Sequence, residues 1–315
     1  MSELTVIADG LKFPEGPIAL PNGDVLLVEI AAKRLTRVAP NGEKSVVAKP
    51  GGGPNGAALG PDGKCYLCNN GGFRSLERDG RIFLLGQAED YSGGRIERVD
   101  LDSGEVEVLY TECDGNPLRG PNDLVFDADG GFWFTDHGKR RTRDQDITGV
   151  YYATPDGKHI REVIFPCEEP NGIGLSPDEK ELYVAETHTG RVWAYTIDSP
   201  GHIKAPRFPV RGDKGRLVAG LPGLQLLDSL AVDSAGNICV ATIHNGGITV
   251  ISPDGQSIEH VPMPDVVTTN ICFGGEDLRT AYITLSSTGQ LVSMPWPRPG
   301  LPLNFLNKQS KLLFD

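Results

Sequence analysis

One arrangement of polar and apolar positions repeats six times along the chain. A polar residue precedes a short apolar run, an Asx-Gly-like turn follows, and a second apolar run completes the unit. The copies occupy residues 13–29, 53–68, 120–136, 169–185, 227–241 and 269–284. They return roughly every 50 residues, a period typical of propeller repeats. The runs are rich in Val, Ile, Leu, Phe and Tyr and too short for helices. Asn22-Gly23, Asp62-Gly63 and Asp129-Gly130 suit two-residue hairpin turns. Further strands are predicted at 34–39, 149–153, 191–196 and 247–251, with turns at Pro40-Asn41-Gly42, Asp156-Gly157 and Pro253-Asp254-Gly255. No window carries a 3.6-residue apolar stripe over three turns.

This pattern predicts an all-β fold, a six-bladed β-propeller with four-stranded antiparallel blades. A solenoid or a pair of β-sandwiches is the alternative. The last repeat supplies three strands, at 270–273, 280–286 and 290–296, and an N-terminal strand at 4–8 is left over. Pairing that strand with the last blade would close the ring and remove two free edges. Residues 1–296 therefore read as a single propeller domain. Residues 297–315, with Leu301, Leu303, Phe305 and Leu306, read as a C-terminal tail packed on the outside. The long segment 87–118 is expected to form part of a rim.

Composition narrows the picture. The 40 Gly and 24 Pro suit many short strands with tight turns. A net charge of −12 argues against a nucleic-acid partner. The basic run Lys139, Arg140, Arg141 and Arg143 reads as a solvated loop, with a rim that attracts anions as the sharper reading. No stretch of about 18 apolar residues predicts a membrane span, and residues 1–10 lack a signal-peptide pattern, so a cytoplasmic protein is expected. Cys65 and Cys68 share one predicted strand, where residues three apart face opposite ways. Packing, not redox or zinc chemistry, is their expected role.

The polar position of each repeat holds an oxygen donor: Glu15, Asn55, Asn122, Asn171, Asp228 and Asn270. In a propeller the first strand of each blade lines the central channel, so these residues would ring one mouth. Carboxylate and amide oxygens together suit a hard divalent cation. Glu15 and Asp228 would supply the charge, Asn171 a neutral ligand, and Asn122 a fourth ligand or a substrate contact. Asn55 and Asn270 fit turn residues better. No Gly-x-Ser-x-Gly elbow is present, which argues against a serine esterase.

Four segments carry a resemblance that covers nearly the whole chain: Phe13-Pro14-Glu15-Gly16-Pro17, the run at 120–127, the run at 170–178 and Thr269-Asn270-Ile271-Cys272-Phe273-Gly274-Gly275. Together they resemble the gluconolactonase / senescence marker protein / luciferin-regenerating enzyme family. The resemblance implies a six-bladed propeller with one divalent cation (Ca²⁺, Mg²⁺, Mn²⁺, Zn²⁺ or Fe²⁺) and hydrolysis of sugar-acid lactones, small-molecule substrates. It implies metal ligands Glu15, Asn171 and Asp228, a general base at Asp228, and substrate contacts from Asn122 and Asp123. Sequence does not separate Asp228 from the cation as the group that activates water. Some members carry Arg where this chain has Gly120, with Arg119 one step before it. That departure leaves the sugar open. His137 and His188 are expected to be hydrogen-bonded or surface residues. An ester or phosphotriester hydrolase on the same metal site, or a non-catalytic calcium-binding propeller, is the alternative function.

Overall fold

A computed structural model describes residues 4–205 and 215–308. Six antiparallel sheets stand around a central channel as a six-bladed β-propeller. Blade 1 runs outward through Pro14–Ala19, Val25–Glu29, Arg34–Val38 and Lys44–Ala48. The inner strands of blades 2 to 6 are Pro54–Leu59, Pro121–Phe126, Pro170–Leu175, Leu226–Val232 and Thr268–Gly274. Each inner strand packs on the next, and the sixth packs on the first, so the ring is closed. Blade 6 takes its outermost strand from the N-terminus: Thr5–Ala8 pairs with Gln290–Pro295. One 3₁₀ turn, Ile30–Ala32, is the only helical element among the described residues. No helix there is long and apolar enough to cross a membrane.

The core follows from strand alternation. Both faces of each blade's inner strands meet a neighbour, so residues there are buried whichever way they point, while the outermost strands stay largely exposed. One apolar cluster fills each interface between blades. Leu26, Val28, Cys65 and Leu67 lie between blades 1 and 2. Tyr66, Cys68, Phe132 and Phe134 lie between blades 2 and 3, where Tyr66 meets Phe126 edge-on at 5.0 Å. Cys65 and Cys68 thus face opposite sides of one sheet. Ala8, Val25, Leu27 and Leu291 seal the junction of blades 6 and 1. Each fully buried Leu, Val or Phe contributes about 1.5–3 kcal/mol.

Buried acceptors at the inner-face end of the second strands tie down the chain entering each inner strand. Glu29 accepts the Lys12 N–H at 2.8 Å, and Asn69 accepts the Gly53 N–H at 2.8 Å. Asp136 accepts three, from Arg119 (2.7 Å), Gly120 (2.7 Å) and Gly138 (2.8 Å). Burial pushes the Glu29 carboxyl up, but hydrogen bonds from Arg34, Thr36 and the backbone outweigh it and hold it below the ordinary range. Asp136→Ala would strand three donors at the approach to Asn122. We expect a loss of at least about 3 kcal/mol, since each unsatisfied buried donor costs about 1–3 kcal/mol. Thermal and urea unfolding of the variant measure it.

Two features lie outside the regular blades. The insertion is not at 87–118, which mostly supplies blade 2 strands Arg95–Val99 and Val106–Tyr110. It is an earlier hairpin, Phe73–Arg78 with Arg81–Gln87. Its apolar run Ile82–Leu85 imitates a blade strand, which hides it in the sequence. At the other end of the channel, the Leu301 N–H donates to Val232 O at 2.9 Å and Asn304 Nδ2 donates to Phe126 O at 3.0 Å. Residues 297–308 thereby cross the lower channel end over a cavity of about 100 Å³. Residues 309–315 lie outside the described residues.

Candidate metal centre

A register irregularity marks every inner strand where the repeated polar residue stands. The shifts fall at Glu15/Ile18, Pro54/Ala57, Pro121/Leu124, Pro170/Ile173, Leu227/Leu230 and Thr268/Asn270. A bulge bends its strand and re-aims a side chain. Six bulges at one level turn the strand starts into a ring. The backbones nearly touch there. A Cβ on Gly56 would lie 2.4 Å from Asn122 O, and one on Gly16 would lie 2.5 Å from Asn55 O. Only glycine permits that approach.

Glu15, Asn55, Asn122, Asn171 and Asp228 line one cavity of about 780 Å³ at the upper mouth. Glu15 is buried and held by the Gly16 N–H (2.9 Å) and Asn270 Nδ2 (2.8 Å), with Thr269 as a third partner. Asn270 therefore orients Glu15, and its own Oδ1 accepts the Ile271 N–H at 2.8 Å. Asn171 Nδ2 donates to Thr187 Oγ1 at 3.1 Å, and the same side chain hydrogen-bonds Asp228. Thr135 Oγ1 donates to Asn171 O at 2.6 Å. Asp123 sits differently. Adjacent residues of a strand point apart, and its carboxyl lines the cavity below the ring. There it accepts the Leu124 N–H at 3.0 Å and a hydrogen bond from Ser229.

The electrostatics are unbalanced. Burial, then the charge of Glu15, pushes Asp123 up to about 8. Burial and the same neighbour drive Asp228 well above the carboxylate range, and burial raises Glu15. Among the described residues no Lys, Arg or His forms an ion pair with any of the three. The Oδ1 atoms of Asn122 and Asn171 are buried without a hydrogen-bond partner. Orphaned amide oxygens beside uncompensated carboxylates are groups that could hold a hard divalent cation. Glu15→Gln removes a charge without changing shape. We expect it to weaken cation affinity at least about tenfold, read by calorimetric titration of Ca²⁺ or Mn²⁺; such losses are usual even for residues that only support a ligand.

Residues 13–287 match the family model described as the SMP-30/Gluconolactonase/LRE-like region. The chain belongs to this family. Within it, a gluconolactonase from Zymomonas mobilis subsp. mobilis is 29% identical, with 90% of this chain and 79% of that protein covered. Lactonase drp35 from Staphylococcus haemolyticus is 33% identical over 60% of this chain. The chain spans about half of that relative's length (55%). A solved gluconolactonase from Xanthomonas campestris has the same fold, with a TM-score of 0.74, 24% identity and coverage of 94% and 90% of the two chains.

Several residues of this SMP-30/gluconolactonase-like site escape a sequence reading. Thr135 and Thr187 buttress Asn171 but belong to second strands or their exits, and only the fold brings them there. His137 lines the cavity, and burial lowers its ring to about 4, so it is neutral at pH 7. His188 contacts Glu169 through Nδ1. Lys139 departs from the solvated-loop expectation. It is 2% exposed, donates to Asn70 Oδ1 (2.9 Å) and Gly72 O (3.1 Å), and sits 3.4 Å over the Phe73 ring. Arg140 and Arg141 pair with Glu169 and Asp146.

Proposed function

We propose that this protein is a divalent-metal-dependent lactonase that hydrolyses the ring ester of lactones, with sugar-acid lactones as the starting class. The observation that carries the reading is the pair of partnerless amide oxygens, Asn122 Oδ1 and Asn171 Oδ1, in one cavity with Glu15 and Asp228. The gluconolactonase and lactonase relatives supply the reaction class.

Glu15, Asn171 and Asp228 would hold one cation, Ca²⁺, Mg²⁺, Mn²⁺, Zn²⁺ or Fe²⁺, with Asn122 on its substrate side. When bound, such a cation supplies Lewis-acid polarisation of the ester carbonyl. The chain does the rest. Asp228 opens to the cavity and takes the proton of the attacking water, then returns it to the departing ring oxygen. Asn171, fixed by Thr187 and by its backbone bond to Thr135, keeps Asp228 aimed. Asn270 and the Gly16 N–H keep Glu15 in one rotamer. Asn122 positions the lactone, and Asp123 stands beneath the ring, held by the Leu124 N–H and Ser229. Fixed donors that do not reorganise during the reaction are the usual source of large rate gains.

The test is a substrate panel on metal-stripped protein refilled one ion at a time. Glucono-, xylono-, arabino- and galactonolactone stand beside a phosphotriester. EDTA should abolish lactone opening and one ion should restore it. Faster turnover of the phosphotriester would replace this reading, and tight ion binding with no turnover would leave a calcium-binding propeller.

A further inference from the structure

Above the polar floor the cavity changes character. The hairpin Phe73–Arg78/Arg81–Gln87 lies across the mouth from blade 2. Asp79 and Gly80 close it at positive φ (52° and 70°), as a type I′ turn requires. Its far strand is tied down on two sides. The Ile82 N–H donates to Ser287 O of blade 6 at 2.9 Å, and the Gln87 N–H donates to Arg140 O of blade 3 at 3.1 Å. Arg81 faces Asp265 at 3.5 Å. Lys139 clamps the root through Phe73. The hairpin is an anchored roof.

This roof is apolar on the inside. Phe73, Phe83 and Leu84 form one cluster with Phe13, Ile30 and Val267, and all six line the cavity. Phe13 is held at φ 58°, a left-handed backbone that costs a non-glycine residue free energy. The strained position puts an aromatic ring into the wall. Arg78, Asp79 and Arg81 of the hairpin tip also line the cavity but stand outside this apolar cluster. Arg78 and Asp79 face each other at 3.6 Å and are 77% and 89% exposed, outside the cluster. A hydroxyl pressed against such a wall loses water without gaining a partner. A hydrocarbon surface gains. The volume of about 780 Å³ suits a ligand well beyond a bare five- or six-membered ring.

We infer that the substrate is a lactone bearing an aliphatic or aromatic substituent, its ring on the Glu15–Asn171–Asp228 floor and its apolar body under the Phe73–Gln87 roof. The inference rests on the lactone-opening reading above and departs from it only in the sugar part. The test is a series of γ-lactones with alkyl chains of zero to eight carbons, run against gluconolactone. Expected kcat/KM rises about two- to fourfold per added methylene until the cavity is full, and exceeds that of gluconolactone. Phe83→Ser, and separately Leu85→Ser on the same strand, should flatten the dependence. A series with no slope, or preference for gluconolactone, overturns the inference. Should no lactone be opened, the matching alkyl lactams, which resist hydrolysis, decide it by calorimetry. Affinity that climbs with chain length upholds the apolar site while the lactonase reading falls, and flat affinity overturns the site as well.

Discussion

Asp228→Asn is expected to lower kcat for lactone opening about a thousandfold at saturating cation, with KM changed far less. General-base contributions of this size are ordinary, and a loss confined to kcat marks an interaction made in the transition state. The choice among the three carboxylates rests on what holds each. Glu15 already accepts hydrogen bonds from Gly16, Asn270 and Thr269, which leaves it no freedom to carry a proton in and out. Asp123 faces the lower cavity, on the wrong side of the ring of inner strands. Asp228 lines the upper cavity and is steered by Asn171. Asparagine keeps the size and one oxygen of the side chain but cannot accept the proton. The measurement is steady-state hydrolysis across a cation titration, so that weakened binding is separated from lost chemistry. Wild-type turnover at saturation would remove Asp228 as the base.

The same variant has a second readout that a purely structural residue would not share. Without a cation, Asp228 and Glu15 repel each other in a buried site. Removing one charge relieves that repulsion. The EDTA-treated variant should therefore melt higher than EDTA-treated parent, while its gain on adding cation should be smaller. A catalytic residue that weakens its own fold is a familiar trade-off.

Much of this was legible from residue order. The sixfold recurrence of a polar residue ahead of an apolar run gave the blades, and the unpaired strand near the N-terminus gave the closure now seen between Thr5–Ala8 and Gln290–Pro295. The register of the site was not legible. Period-2 alternation assumes an unbroken ladder, and each inner strand breaks its ladder at the repeated polar residue. Glycines after Glu15, Asn55 and Asn171 were the available signal, since a Cβ on any of them would strike a neighbouring backbone. The roof was hidden for a different reason. Ile82, Phe83, Leu84 and Leu85 form a short apolar run of strand length, and only pairing shows that it builds a separate sheet. Lys139 misled because a basic run usually faces water, whereas here the amide of Asn70, the Gly72 carbonyl and an aromatic face replace that water.

Cation removal should make stability depend steeply on pH, and the direction follows from the raised carboxylates. A carboxyl whose folded pKa lies above its unfolded value stabilises the fold fully below the unfolded value, and that contribution is lost as pH rises through the folded one. Asp123 moves from 3.8 to about 8, and Glu15 and Asp228 move the same way. The metal-free protein should therefore lose stability steadily between about pH 4 and pH 8, by about 1.4 kcal/mol for each unit of displacement fully ionised. A divalent cation reverses the balance, because it favours the charged carboxylates and binds only the folded ring. Its stabilising effect should thus be small at pH 5 and grow toward pH 8. We expect the difference in Tm between Ca²⁺-loaded and EDTA-treated protein to widen by at least about 5 °C over that interval, given about 2–4 °C per kcal/mol for a chain of roughly this size. Scanning calorimetry at matched ionic strength measures it. A difference that stays constant with pH would mean that Glu15 and Asp228 are not the groups the cation meets, and the site would have to be sought elsewhere on the propeller.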